Sequence, residues 1–190
     1  MPDTILKNGQ IFDGSGKTPI TTDLGIKDNI ISEIGKIDSD KGKEVIDVDG
    51  LAVSPGFVDM HTHSDFTLMV NGRAESQVHQ GVTTEVVGQC GISCAPVNND
   101  KDIKQMAIGF CENSHKLGWR SFKEYLASLE KNKLGVNVAA FVGHGAIHNN
   151  VLGNELRAPD HNEIVKMCKI VEESLDCLLY TSDAADESSS

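Results

Sequence analysis

The chain has 190 residues, 39% of them hydrophobic, and a formal net charge of −11, which suits one buried core with, at most, a small satellite. It holds no apolar run near the roughly 20 residues of a membrane span and no basic cluster, so neither a membrane nor a nucleic acid is an expected partner. The start, Met1-Pro2-Asp3-Thr4, has none of the basic-then-apolar pattern of a signal peptide, and the five irregularly spaced cysteines then predict reduced thiols in a cytoplasmic protein.

Residues 4–12 read as strand, Asn8-Gly9, strand, a two-residue hairpin signal. Leu24 to Lys27, then Asp28-Asn29, then Ile30 to Ile34 repeats the pattern. Glu44 to Val48 supplies a further strand before Asp49-Gly50. Short strands at this spacing predict a small β-sandwich over residues 1–55. Asp13-Gly14-Ser15-Gly16-Lys17-Thr18 looks superficially like a phosphate loop. It lacks that loop's spacing and its strand–helix setting, so it reads as a turn.

Residues 53–65, Val-Ser-Pro-Gly-Phe-Val-Asp-Met-His-Thr-His-Ser-Asp, are the stretch around which the rest of the chain is organised. Ser54-Pro55-Gly56 is a turn, and Phe57, Val58 and Met60 form the short apolar run of a strand buried on both faces. His61 and His63 close it. Residues two apart share a strand face, their Cα atoms roughly 6.5 Å apart, so both imidazoles can converge on one ion. The plain alternative is a pair of polar residues where a strand enters a loop.

Further along, residues 73–80 predict a short helix stopped by Gly81, and Val82 to Val87 a β-branched strand. That strand runs into Gly88-Gln89-Cys90-Gly91, where the glycines leave the thiol accessible. Ile103, Met106, Ala107 and Phe110 share a helical face, as do Trp119, Phe122, Leu126 and Leu129, and Ser121 with Glu124 fits a capping box. Val136 to Val142 is a third strand, ending Gly143-His144-Gly145. The last helix, 160–175, puts Ile164, Cys168, Val171 and Leu175 on one face, with Asp160 and Glu163 at its start. Strand followed by helix three times over predicts an α/β fold with a parallel sheet.

Three strand ends therefore deliver residues able to bind a metal or move a proton: His61 and His63, then Cys90, then His144. A thiolate beside imidazoles suits zinc. Cys94 reads as a bystander, Cys168 as core, and Asp65 as a loop residue near the histidines.

The stretch Pro-Gly-Phe-Val-Asp-Met-His-Thr-His resembles the first barrel strand of the amidohydrolase superfamily. Gly81-Val82-Thr83-Thr84, Gly88-Gln89-Cys90-Gly91 with Ala95-Pro96, and Gly143-His144-Gly145 narrow the resemblance to the N-acyl-D-amino-acid deacylases, or D-aminoacylases. It runs from about Ile5 to Leu175. It implies an incomplete (β/α)8 metallo-hydrolase barrel, about its first three β/α units, over 56–175, preceded by a partial N-terminal β-sandwich. It also implies zinc on His61, His63 and Cys90, His144 as a substrate-binding residue, and a small N-acyl-D-amino acid as substrate. The implied reaction is metal-assisted amide hydrolysis, with the remaining zinc ligands and the general base from later strands. Gln89 stands where the family usually has Asn, and His148 where it usually has Arg.

From Cys177 the sequence resembles a translated transposase sequencing adapter, so 176–190 is expected to be a non-native tail and the rest an N-terminal fragment, inactive alone. Two other readings stay open: an amidohydrolase acting on cyclic amides, of the dihydroorotase or hydantoinase kind, and a non-catalytic zinc-binding module.

Overall fold

The computed structural model describes residues 1–107 and 117–186. The chain divides into two compact units, Met1–Gly56 and Phe57–Ser190.

The first unit is one mixed five-stranded sheet built from β1 (Thr4–Ile11), β2 (Ile20–Lys27), β3 (Ile30–Gly35), β4 (Glu44–Asp47) and β5 (Ala52–Val53). β1 is central: it pairs antiparallel with β2 and parallel with β4 and β5. The Asp28-Asn29 hairpin between β2 and β3 is present, both residues having positive φ, as the primed turn of a two-residue hairpin requires. The hairpin expected at Asn8-Gly9 is not. β1 runs straight through both residues, and the left-handed Asn8 (φ 60°) marks a bulge where the register against β2 shifts between Leu6 and Gly9. Its partners explain the difference. Asn8 N–H donates to Asp23 Oδ1 (3.0 Å) and Asn8 Nδ2 to Asp47 Oδ1 (3.0 Å). The chain is thereby held extended between β2 and β4. The Asp13–Thr18 segment is a turn, with Asp13 Oδ1 accepting from Ser15 N–H and Oγ.

Asp23 is the polar anchor of this unit. Buried to 5% exposure, it accepts from Lys7 Nζ, Asn8 N–H and Ile37 N–H. These bonds and the Lys7 charge outweigh the burial that opposes ionisation and hold its carboxyl at about 2, below the ordinary 3.8. A carboxyl depressed in the folded state stabilises fully above its unfolded pKa and loses that contribution as pH falls through the folded one. Stability is therefore expected to drop by about 1–2 kcal/mol between pH 4 and 2. Urea unfolding across that range checks it, and in Asp23→Asn this part of the pH dependence should vanish.

The second unit holds a three-stranded parallel sheet, β6 (Phe57–Asp59), β7 (Val82–Val87) and β8 (Asn137–Ala140), with β7 in the middle. Two short helices, α1 (Thr67–Val70) and α2 (Glu75–Val78), lie between β6 and β7, and Gly81 follows α2 at φ +83°. α3 (Asp100–Ala107) and α4 (Phe122–Lys131) lie between β7 and β8, and α5 (His144–Leu152) and α6 (His161–Asp186) follow. The Ser121–Glu124 capping box forms with both of its bonds. At the start of α6, Asp160 and Glu163 exchange the same reciprocal pair. The core gathers Phe66, Leu68, Val87, Ile103, Trp119, Phe122, Tyr125 and Leu129. Tyr125, absent from the expected stripe, is its most enclosed large side chain. Phe110 lies outside the described residues.

Three expectations need correction. Phe57, Val58 and Met60 are 61%, 52% and 63% exposed rather than buried on both faces: β6 is an edge strand of this sheet, and the described residues leave these side chains largely uncovered. Cys168 is exposed rather than core, since that face of α6 is only partly covered and Ile164 and Leu175 are exposed as well. The helix also continues past Leu175 to Asp186, through a sequence without the Gly or Pro that would stop it. No helix among the described residues is long and apolar enough to cross a membrane.

Candidate metal centre

In a parallel sheet every strand exits at the same end, so the segments after β6, β7 and β8 emerge side by side. The segment after β6 carries His61 and His63, whose rings meet edge-on with centroids 5.6 Å apart. The segment after β7 carries Cys90. His61 Nε2 and Cys90 Sγ are 3.2 Å apart, and one ligand atom from each of His61, His63 and Cys90 falls within 4.8 Å of the others. Two imidazoles and a thiol at this separation are a donor set that fits zinc chemically, and three ligands leave room for a further one.

Local backbone conformation brings the thiol there. Gly88, Cys90 and Gly91 all have positive φ (79°, 56° and 74°), which turns the chain back after β7 within a single 3-10 turn, Gln89–Gly91. For Cys90 that conformation is disfavoured by about 1–2 kcal/mol, so its surroundings must hold it. A Cβ on Gly88 would lie 2.0 Å from the Phe141 carbonyl oxygen, and one on Gly143 2.5 Å from the Gly91 carbonyl oxygen. The Cys90 turn is thus in backbone contact with the segment that leads into α5.

Two acids flank the cluster. Asp65 is buried, and its Oδ2 accepts from Gly88 N–H at 3.0 Å. Burial pushes its carboxyl up to about 6, against the pull of hydrogen bonds from its own and the Gly88 N–H and of His63. Glu85, on β7, drew no attention in the sequence and is 0% exposed. Ser64 Oγ donates to one of its oxygens, and Oε1 has no hydrogen-bond partner among the described residues. The available signal was a single carboxylate inside a β-branched strand, costly to bury unless bonded.

His144 begins α5, exposed, with its ring 6.4 Å from that of His148. It does not join the three-residue cluster. It lines a groove of about 520 Å³ between α5 and α6 with Ile147, Ile164, Met167 and Glu172. His148, on α5, approaches the Arg157 carbonyl oxygen at 3.4 Å. Cys94 is fully buried, and its carbonyl accepts from Trp119 Nε1 at 2.7 Å. It is a core residue, away from the thiol that meets the imidazoles.

The sequence profile described as the amidohydrolase family matches residues 44–181. The chain belongs to the amidohydrolase family. Within that family it is similar to the D-aminoacylase of Alcaligenes xylosoxydans xylosoxydans, at 33% identity over 91% of this chain and 35% of that enzyme. Among solved structures this amidohydrolase-family chain superposes on a D-aminoacylase studied for its binuclear metal center. The TM-score is 0.84 at 31% identity, over 93% of this chain and 37% of the other. It also superposes on the N-acyl-D-glutamate deacylase of Bordetella bronchiseptica, complexed with zinc and a phosphonate inhibitor. There the TM-score is 0.81 at 28% identity, over 92% and 36% of the two chains. The mixed α/β fold is that of these enzymes. The chain spans about a third of the length of the curated relatives it matches.

Proposed function

We propose that this chain is the N-terminal part of a zinc-dependent hydrolase that cleaves the amide bond of N-acyl-D-amino acids, releasing a carboxylate and a D-amino acid. The observation that carries the proposal is the convergence of His61, His63 and Cys90 in a chain similar over nine-tenths of its length to D-aminoacylases. In this reading β6, β7 and β8 are the first three strands of a (β/α)8 barrel over residues 56–175, and β1 to β5 are the first part of a composite sandwich over 1–55. Residues 176–190 are a non-native tail. Exposed apolar side chains support an unfinished architecture: Ile30, Ile31 and Ile34 in the first unit, and Phe57, Val58 and Phe141 in the second.

His61, His63 and Cys90 would hold the ion, Cys90 as thiolate. When bound, zinc supplies Lewis acidity toward an amide carbonyl and toward water. The protein's own contribution is to present the three donors from adjoining strand ends, so that little reorganisation accompanies binding. His144, at the start of α5, is assigned to substrate binding. The general base, worth about 10²–10⁴-fold, is assigned to the part of the barrel beyond this length.

The 190-residue chain is accordingly expected to release no D-amino acid from N-acetyl-D-amino acids at a measurable rate. The product of the complete reading frame should do so, with preference for D over L substrates, and should lose activity on chelation and regain it with zinc. Turnover by the short chain comparable to that of the complete product would overturn the fragment reading. A complete product inert toward every N-acyl-D-amino acid would overturn the activity.

A further inference from the structure

The segment carrying the histidines and the turn carrying the cysteine are stitched together at three points. Thr62 N–H donates to the Val86 carbonyl at 3.3 Å. Gly88 N–H donates to the buried Asp65 carboxylate at 3.0 Å. Gln89 Nε2 donates to the Met60 carbonyl at 2.8 Å. The third differs in kind, because it joins the residue just before Cys90 to the residue just before His61 through a side chain alone. Gln89 itself is half-buried. No ladder bond dictates the bridge.

We propose that Gln89 is a positioning residue of the metal centre. Its amide bridges the Cys90 turn to the end of β6 and so fixes Cys90 Sγ against His61 Nε2 before an ion arrives. The physical reason is the turn itself. Cys90 sits at φ 56°, a conformation a non-glycine residue leaves unless its neighbours hold it. The Gln89 bridge acts on the peptide that leads into that residue. Without it the turn relaxes toward extended backbone, and the thiol swings away from the imidazoles while the sheet beneath stays intact. This rests on the reading of His61, His63 and Cys90 as metal ligands.

The test uses cobalt(II) as the probe, because a thiolate ligand adds a near-ultraviolet charge-transfer band that imidazole alone does not. Gln89→Met keeps length and volume and removes the donor. Relative to the unsubstituted chain it is expected to weaken cobalt(II) binding by roughly 10- to 100-fold, the range for partners that orient metal ligands. It should also diminish the charge-transfer band at saturating metal, while the metal-free unfolding midpoint stays unchanged. Gln89→Leu serves as a second variant should the first fail to fold. Affinity and band equal to those of the unsubstituted chain in a folded variant would overturn the positioning role. An unsubstituted chain that binds cobalt without the thiolate band would overturn the ligand reading, and the positioning role with it. The two failures are therefore told apart by the unsubstituted control.

Discussion

Replacing Cys90 with alanine is expected to strip the chain of its metal. The unsubstituted chain, dialysed against zinc and then against buffer, should retain zinc, and Cys90→Ala should retain almost none. Among the described residues three donors converge, and a structural zinc site uses four, so the site has no ligand to spare. Loss of a direct ligand must weaken binding by at least the roughly 100-fold that changes in supporting residues reach. Affinity should also fall as pH is lowered, because imidazole and thiol both have to shed protons to bind. Metal content by elemental analysis decides the matter: equal zinc in the two dialysed proteins removes Cys90 from the site. His61→Ala should behave like Cys90→Ala, since His61 Nε2 is the group within 3.2 Å of the sulfur.

The largest loss of stability is expected from Gly88→Ala. Two penalties act at this position, and a second glycine separates them. Gly14 has the same φ, +79°, but nothing within 4 Å of an added Cβ. Gly14→Ala should therefore cost only the left-handed backbone term, about 1–2 kcal/mol. At Gly88 the added carbon would lie 2.0 Å from the Phe141 oxygen and 2.8 Å from its carbonyl carbon. The ends of β7 and β8 would have to part, endangering the Phe141 N–H bond to the Val87 carbonyl. A total of about 3 kcal/mol or more is expected, a large share of the 5–15 kcal/mol that a domain typically has. Urea unfolding of the two variants measures both. Equal losses at the two positions would mean that the close approach carries no energy.

Features written locally were legible in the sequence, and features set by distant partners were not. The Ser121–Glu124 capping box needs four consecutive residues and appeared where expected. The Asp28-Asn29 turn needs two residues able to adopt positive φ, and it too was readable. Asn8-Gly9 carries the same local signal, and there it misled. What converts it to a bulge is Asp23 and Asp47, 15 and 39 positions away, and no dipeptide rule contains them. The apolar run at Phe57 and Val58 was likewise read as a strand, correctly. Its burial was not, because burial depends on what covers a strand rather than on what the strand is.

The same division holds at the candidate metal centre. That His61, His63 and Cys90 come together could be foreseen because their chemistry and their places at strand ends are both visible in sequence. Glu85 could not, because a β-branched strand conceals one carboxylate, and its enclosure became evident only once Ser64 was seen to meet it. Nor could Gln89 be given a part. The part proposed for it rests on its reaching the Met60 carbonyl just past β6, a distance that no one-dimensional spacing encodes.

The approach of the Gly91 carbonyl to Gly143 and Gly145 has a bearing on how this rim can vary. Where two loops touch through side chains, a larger or smaller residue resets their separation by small steps. Here they touch through peptide atoms, whose size is the same whatever sequence surrounds them. The gap behaves as a gauge block of fixed thickness behind the turn that carries Cys90. Variation beside the contact then falls to exposed side chains, Ile92 and His144 among them. A residue inserted on either side of the contact would be felt at once by the sulfur.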